Sequence, residues 1–250
     1  MHLLLSGEGP GDIGTCNPAA DHCTAQQFRP GPMAWFVDQL VEIFQGYEFS
    51  HLGNACVTYL SESYLAANKP VRSRKSMSIP GKKSPKETHY YYANARALAI
   101  AATDKAAELT DTVIAVLFRD GDGTASAGRG QWREKRQSMI AGFQAEAFEF
   151  GVPMIPKPKS EAWLLCAVKA NPYQHCDLLE SESGNDRGMN PLKDQLGVAL
   201  AAENNTQQIN QRVISGEIDA QRIDMDSFNE FKNALQDAVH KAMRQERDRV

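Results

Sequence analysis

The chain has 250 residues, of which 42% are hydrophobic and 23% are charged, and its formal net charge is −4. This composition is typical of a globular protein with a substantial core, and it excludes a wholly disordered chain, a coiled coil or a collagen-like repeat. The net charge also argues against a uniformly basic nucleic-acid binder.

The first predicted elements are a buried strand and a helix, separated by a long loop. A short apolar run over residues 2–6 predicts the strand, and the aperiodic segment Gly7–Pro32 predicts the loop. Large apolar side chains at helical spacing predict a helix from about Met33 to Gln45, ended by Gly46. The apolar segment Val57–Leu65 is compatible with either a strand or a helix.

The centre of the predicted fold is the continuous apolar segment D-T-V-I-A-V-L-F, residues Asp111–Phe118. Such a run is typical of a central parallel strand that is covered on both faces. A helix is predicted before it (Ala93–Leu109) and after it (Trp132–Phe150), followed by a short strand (Val152–Ile155) and an apolar helix (Glu161–Lys169). Strands that alternate with helices predict an α/β fold with a mostly parallel sheet and flanking helices.

The C-terminal part of the chain has a wholly helical pattern. Ser227 and Glu230 fit a capping box at the start of a last helix. We therefore predict an α/β domain over residues 1–190, with a basic loop inserted at residues 69–88. The helical extension, residues 191–250, is predicted to dock on that domain.

The inserted loop is strongly basic and carries no acidic residue between Lys69 and Lys86. Clustered lysine and arginine side chains displace counterions from a nucleic-acid backbone, so the loop is a candidate arm for binding DNA or RNA. A solvated surface loop is the ordinary alternative. The segment Tyr90–Tyr92 predicts either base-stacking side chains or the first turn of the next helix. The predicted nucleic-acid contacts are Arg72, Arg74, Lys75, Lys82, Lys83 and Lys86.

Acidic side chains follow three of the predicted strands. Glu8 follows the first strand, Asp120 and Asp122 follow the central strand, and Glu161 follows the later one. Ligands of α/β proteins gather at the carboxyl ends of the strands, and clustered carboxylates suit Mg²⁺ or Mn²⁺. Each acid also has an ordinary explanation, because aspartates and polar residues favour turns and an acid in a first helical turn complements the helix dipole.

Two other classes of protein remain open at this stage. The segment F-R-D-G-D-G-T fits the first motif of haloacid-dehalogenase-like phosphatases, with Asp120 as nucleophile and Asp122 as general acid/base. The second acidic pair of that class is missing, because its candidates do not follow strands: Asp186, Asp224 and Asp226.

A zinc-stabilised module that binds nucleic acid or protein is the other class. The available soft ligands lack the paired spacing of structural zinc sites: Cys16, His22, Cys23, His175 and Cys176. We expect Cys56 and Cys166 to be ordinary buried thiols. Five scattered cysteines, an odd number, favour a reducing compartment. No apolar run approaches the ~20 residues of a membrane span, and the basic start of a signal peptide is missing, so we predict a cytoplasmic protein with no membrane partner.

The layout from roughly Met1 to Ala170 resembles the Toprim (topoisomerase–primase) domain. The strand that ends at Glu8 in a glycine-containing loop and the central strand that ends in D-x-D are similar to nuclease Toprim domains of the overcoming-lysogenization-defect type. Small Toprim-like proteins found with antiviral systems also carry Glu-x-Trp-Leu-Leu after a proline-rich turn, which P-K-S-E-A-W-L-L resembles.

The resemblance implies a nuclease that cleaves DNA or RNA with Mg²⁺ or Mn²⁺, as an effector of antiviral defence. It implies one role for each matching acid and for a lysine: Glu8 as the Toprim glutamate, Asp120 and Asp122 as the metal-binding pair, Glu161 as a further ligand, and Lys157 or Lys159 as the basic residue that neutralises the transition state. The pattern E-G-P-G-D matches only one of the two forms found in these nucleases, which leaves the role of Asp12 open. The chain has no Walker motif, so any ATP-dependent control needs a separate ATPase as partner.

Overall fold

The computed structural model describes residues 1–70, 86–121, 131–168, 175–201 and 205–248, with the backbone alone for residues 86 and 87. The strands of the described part are β1 (His2–Gly7), β2 (Gly14–Cys16), β3 (His22–Thr24), β4 (Phe28–Pro30), β5 (Val57–Ser61), β6 (Val113–Phe118) and β7 (Gly151–Met154). The helices are α1 (Pro32–Gln45), α2 (Glu62–Ala67), α3 (Lys86–Leu109), α4 (Trp132–Ala145), α5 (Ser160–Val168), α6 (Cys176–Leu179), α7 (Leu192–Leu200), α8 (Thr206–Ile214) and α9 (Asp226–Asp248).

The central sheet has five strands in the order β3-β5-β1-β6-β7. The last four are parallel to one another, and β3 pairs antiparallel with β5 at one edge. Strands β2 and β4 form a separate antiparallel pair. The mostly parallel α/β sheet that the sequence predicts is therefore present.

Hydrophobic side chains cover both faces of this sheet. Successive residues of a strand point to opposite faces, so Leu3 and Leu5 of β1 pack with α1, α5 and the C-terminal helices, while Leu4 packs with α3 and α4. All six residues of β6 are buried. This burial explains why the β6 segment is continuously apolar rather than alternating.

Three predicted elements differ from the observed ones by several residues, one of them being α3, which begins at Lys86 rather than at Ala93. The segment predicted as a single loop, Gly7–Pro32, contains a π-helical turn at Gly9–Ile13 and the three short strands β2, β3 and β4. These strands are too short to produce a periodic apolar pattern. The helix predicted to run to Phe150 ends at Ala145, because Ala147 adopts a left-handed φ of 52° that a helix cannot continue.

The C-terminal helices pack on the same core as the sheet. Helix α7 contacts α5, α8 contacts α1, and α9 contacts both α1 and β7. The predicted capping box is wrong, because α9 begins at Asp226 and Ser227 is buried inside it. The Ser227 hydroxyl accepts a hydrogen bond from the indole of Trp163 at 2.9 Å, and Glu180 accepts the Ser227 backbone N–H at 2.7 Å.

Candidate active site

Three charged side chains occupy equivalent positions at the carboxyl edge of the sheet. In the strand register, Gly7 of β1 lies opposite Ser61 of β5 and Phe118 of β6. The next residue along each strand is Glu8, Glu62 and Arg119, respectively. We call these three residues the strand-end triad.

Arg119 binds both carboxylates of the strand-end triad. Its Nη2 lies 3.1 Å from Oε2 of Glu8, and its Nη1 donates to Oε1 of Glu62 at 2.8 Å. The arginine side chain is 24% exposed. Burial lowers the pKa of Arg119, but the charges of Glu8 and Glu62 act in the opposite direction and raise it overall.

Tyr90 of α3 supports the same arginine. The guanidinium carbon of Arg119 lies 4.3 Å from the centre of the Tyr90 ring, within cation–π distance. The Tyr90 hydroxyl donates to Oε1 of Glu62 at 2.7 Å, and Lys69 Nζ lies 5.0 Å from the same ring centre. Burial and the contact with Glu62 raise the pKa of Tyr90 to about 12. Tyr90 is thus bound to the triad, Tyr91 is buried, and both lie in α3.

Asp120 connects the end of β6 to the start of α5. Its Oδ1 accepts the backbone N–H of Ser160 at 3.0 Å, a donor that the first turn of a helix leaves without an intrahelical partner. The hydroxyl of Tyr91 donates to the Asp120 backbone carbonyl at 3.3 Å. These contacts fix the orientation of Asp120 at the carboxyl edge.

Gly121 and Lys135 hold the turn that follows Asp120. The Gly121 N–H donates to the Pro156 carbonyl at 2.9 Å, and a Cβ at this position would lie 2.5 Å from that carbonyl oxygen. Lys135 of α4 is only 1% exposed, and its Nζ donates to the Gly121 carbonyl at 3.0 Å. A glycine between the two aspartates is therefore a steric requirement of this turn.

Asp12 and Glu161 share the hydroxyl of Ser160. Ser160 Oγ donates to Oδ1 of Asp12 at 2.5 Å and lies 3.4 Å from Oε2 of Glu161. Burial is the largest of the effects that raise the pKa of Asp12 to about 6, and the nearby Glu161 carboxylate raises it further. The hydrogen bond from Ser160 and the positive charge of Lys159 act in the opposite direction.

The structure brings several of the predicted site residues to one edge. Glu8 and Asp120 follow the adjacent strands β1 and β6, and Glu161 lies in the first turn of α5. Lys159 Nζ is 2.8 Å from the exposed Asp186, and Lys157 Nζ is 3.4 Å from Glu180. The other predicted site residues lie outside the described part of the chain: the metal ligand Asp122 and the nucleic-acid contacts Arg72, Arg74, Lys75, Lys82 and Lys83. The nucleic-acid contact Lys86 is described in its backbone alone.

Four residues at the carboxyl edge of the sheet are not predicted from the sequence: Glu62, Arg119, Ser160 and Lys135. Glu62 lies in the segment Val57–Leu65, which the sequence leaves open between a strand and a helix, so no strand end is predicted beside it. The observed boundary between β5 and α2 places it at a strand end, as Glu8 is. Arg119 is adjacent to Asp120 in the sequence, which is the signal that could have found it. Nothing in the sequence singles out Lys135, because its burial arises only from packing.

Four of the five cysteines are paired, which corrects two predictions. Cys16 is joined to Cys23 and Cys166 to Cys176, and among the described cysteines Cys56 alone is free. Cys166 is therefore not a free thiol. The sulfur atoms proposed as zinc ligands at Cys16, Cys23 and Cys176 are bound to other sulfurs, and zinc requires thiolates.

The donor chemistry of the carboxyl edge suits a hard divalent cation. Its oxygen donors are carboxylates, and burial together with the neighbouring Glu161 raises the pKa of Asp12. Within the described residues, no three acidic, histidine or cysteine side chains are grouped closely enough to hold a metal ion by themselves. Glu8 and Asp120 follow adjacent strands, and Asp12 and Glu161 are linked to Asp120 through Ser160. These four acids are the residues that would supply ligands.

Comparison with known proteins gives no relative: no family model, curated protein or solved structure matches the chain. In the described part of the chain, no helix is both long enough and apolar enough to cross a membrane.

Proposed function

We propose that this chain is a divalent-metal-dependent phosphodiesterase that cleaves DNA or RNA. The observation that carries the proposal is the position of Glu8 and Asp120 after adjacent parallel strands, at the edge where α/β proteins bind their ligands. The second pair of acids, Asp12 and Glu161, is joined to Asp120 through Ser160. Mg²⁺ is commonly bound through one or two carboxylates together with the phosphates of its substrate, which is what these acids could supply.

Each of these residues has a separate role in the proposed cleavage of the phosphodiester bond. Glu8 and Asp120 would hold a Mg²⁺ or Mn²⁺ ion, which would stabilise negative charge on the phosphate and make water a better nucleophile. Asp12, with a pKa of about 6, is suited to accept or return a proton near neutral pH. Lys159 contributes positive charge beside Asp12 and stabilises charge that develops on the phosphate.

A Toprim-like fold is part of the proposal. It is supported by the parallel strand order β5-β1-β6-β7, in which the strand of Glu8 neighbours the strand of Asp120. The proposal extends to a role as an antiviral effector, with a separate ATPase as the partner that controls it. The basic segment between Lys69 and Lys86 is proposed to grip the nucleic-acid backbone without reading bases.

The direct test is a substrate panel with the purified 250-residue chain. Plasmid DNA, tRNA and para-nitrophenyl phosphate are each incubated with Mg²⁺ or Mn²⁺, and with EDTA as the matched control. We expect cleavage of plasmid DNA or tRNA that EDTA abolishes. Hydrolysis of para-nitrophenyl phosphate alone contradicts the proposal and favours a phosphatase, and stoichiometric zinc without turnover favours a binding module.

The phosphatase alternative also makes a covalent prediction. A nucleophilic Asp120 passes through an aspartyl-phosphate, whereas attack by water forms no phosphorylated protein. We expect no hydroxylamine-sensitive phosphate on the chain after incubation with substrate. A trapped adduct on Asp120, combined with full activity of Glu8→Gln, overturns the nuclease proposal.

A further inference from the structure

In the strand-end triad, Arg119 pairs with Glu8, one of the two acids that the proposed function assigns to the cation. Arg119 Nη2 is 3.1 Å from the Glu8 carboxylate, which is the first of the proposed metal ligands. The same guanidinium is 2.8 Å from Glu62. The triad contains two carboxylates and one guanidinium, so one negative charge remains in excess.

Arg119 and a divalent cation compete for the Glu8 carboxylate. Two positive charges a few ångströms apart repel each other, and the repulsion is twice as strong when one of them is divalent. Loss of the arginine proton does not relieve this repulsion, because the guanidinium stays charged at any physiological pH. Binding of a cation at Glu8 therefore favours movement of Arg119 away from it.

The contacts of Arg119 allow this movement without loss of its other partners. Different nitrogens of the guanidinium reach the two acids, Nη2 to Glu8 and Nη1 to Glu62. The Tyr90 ring lies 4.3 Å from the guanidinium carbon, and the Tyr90 hydroxyl fixes the Glu62 oxygen that accepts from Arg119. Arg119 can thus release Glu8 while Glu62 and Tyr90 retain it.

We propose that Arg119 is an internal counter-ion that neutralises Glu8 in the metal-free protein and is displaced from Glu8 when a divalent cation binds. The proposal rests on the proposed metal-dependent function and adds a regulatory property to the same site. Arg119 pairs with Glu8 and Glu62 in the metal-free protein. Because it competes with the cation for Glu8, it lowers the affinity of the protein for the metal. Glu62 and Tyr90 are the positioning residues that retain the displaced arginine.

The experiment is an equilibrium titration with Mn²⁺, followed by electron paramagnetic resonance of the free ion. We expect Arg119→Gln to bind Mn²⁺ about 10-fold more tightly than the wild type, the change that ~1.4 kcal/mol of removed repulsion produces. Arg96→Gln is the matched control, because Arg96 also pairs with a carboxylate, Glu146, and lies over a tyrosine ring of α3. Its Mn²⁺ affinity should stay within 2-fold of the wild type, a margin of about 0.4 kcal/mol.

A double-mutant cycle separates competition at Glu8 from a general effect of charge. In the Glu8→Gln background, Arg119→Gln should change Mn²⁺ affinity by less than about 3-fold, because the contested carboxylate is gone. An equal gain in both backgrounds, or no gain in Arg119→Gln alone, overturns the counter-ion proposal and leaves the proposed function standing. If neither the wild type nor Arg119→Gln binds Mn²⁺, the metal-dependent function itself fails.

The conservative variant Arg119→Lys tests the counter-ion proposal if Arg119→Gln does not fold. Arg119→Lys keeps the charge but lacks the planar fork that reaches Glu8 and Glu62 together. We expect it to bind Mn²⁺ more tightly than the wild type, by about 3-fold, since the pair with Glu8 is weakened. An unchanged or weaker affinity in this variant contradicts the proposal.

Discussion

At the scale of single residues, the site depends on acids whose charges the protein compensates to different degrees. Glu8 has a guanidinium partner, whereas Asp12 has a hydroxyl and an acidic neighbour. The sequence predicted Glu8, Asp120 and Glu161 as a group, because each follows a strand. It could not predict which of them is already neutralised, because Arg119 meets Glu8 only through the pairing of β1 with β6.

The raised pKa of Asp12 predicts a pH-dependent loss of stability. Its pKa in the folded protein is about 6, above the ordinary value of 3.8, so ionisation of this group destabilises the fold as pH rises from about 4 to about 6. Asp12→Asn removes that cost, so the variant should gain stability over the wild type between these pH values. Urea unfolding at pH 4, 5, 6 and 7 measures the difference.

A stability difference between Asp12→Asn and the wild type that stays constant from pH 4 to pH 7 would contradict this prediction. It would show that the carboxyl of Asp12 titrates alike in the folded and unfolded chain.

Asp38 of α1 is a structural acid, and its removal should be costly. It is 3% exposed, and its carboxylate accepts three hydrogen bonds: Ser50 Oγ at 2.6 Å, His51 N at 2.7 Å and Leu52 N at 3.1 Å. Asp38→Ala leaves these donors without their acceptor and should lower the free energy of unfolding by about 2–4 kcal/mol. Urea denaturation measures the loss, with Asp104→Ala, at an exposed site, as control. A loss below about 0.5 kcal/mol, the range of ordinary surface substitutions, would contradict this role.

At the scale of elements, the sequence predicts β6 well because burial on both faces leaves a continuous apolar run. It predicts the segment after Glu8 poorly, because contacts with distant residues determine its conformation and its sequence has no periodic apolar pattern. The π-helical turn places Asp12 against Ser160 of α5, 148 residues further along the chain. Such a contact has no local signal in the sequence.

Gly9 makes this turn possible, and its substitution should be more damaging than that of a similar glycine. Gly9 has a φ of 81°, and a Cβ there would collide with the Asp12 carboxylate. Gly46, at the end of α1, has a similar φ of 78°, with nothing within 4 Å of the added Cβ. Gly46→Ala should cost about 1–2 kcal/mol from backbone strain alone.

The comparison between the two alanine variants isolates the steric contact with Asp12. Gly9→Ala should lower the free energy of unfolding by at least about 1 kcal/mol more than Gly46→Ala, since overpacking adds to the strain. Urea unfolding of both variants, side by side, gives the difference. Equal losses would mean that Asp12 moves aside without cost.

At the scale of the whole molecule, the central five-stranded sheet is covered on both faces, and helices α7, α8 and α9 help to cover one of them. The α/β class followed from the alternation of strands and helices. The cysteine pairing did not follow, because the spacing of the cysteines along the sequence does not say which of them the fold brings together: Cys16 with Cys23, and Cys166 with Cys176. An odd cysteine count is compatible with two disulfides and one thiol.

A thiol count tests this pairing directly. The unfolded, unreduced chain should react with one equivalent of Ellman's reagent, through Cys56, and the reduced chain with five. Reduction should also lower stability by about 2–3 kcal/mol for each of the two short loops released. Five reactive thiols in the unreduced chain would contradict the pairing and support the predicted reducing compartment.

The central claim is that the carboxyl edge of the sheet performs metal-dependent cleavage of nucleic acid. The measurement that tests it most directly is the Mg²⁺-dependent cleavage rate of Asp120→Asn and Glu8→Gln, against Glu48→Gln as the control at an exposed site. Asparagine still accepts the Ser160 N–H, so Asp120→Asn should fold while its rate falls about 100-fold, the equivalent of about 2.7 kcal/mol. Glu8→Gln should lose a similar factor, and Glu48→Gln should match the wild type. Wild-type cleavage rates in both site variants would place the chemistry elsewhere in the molecule.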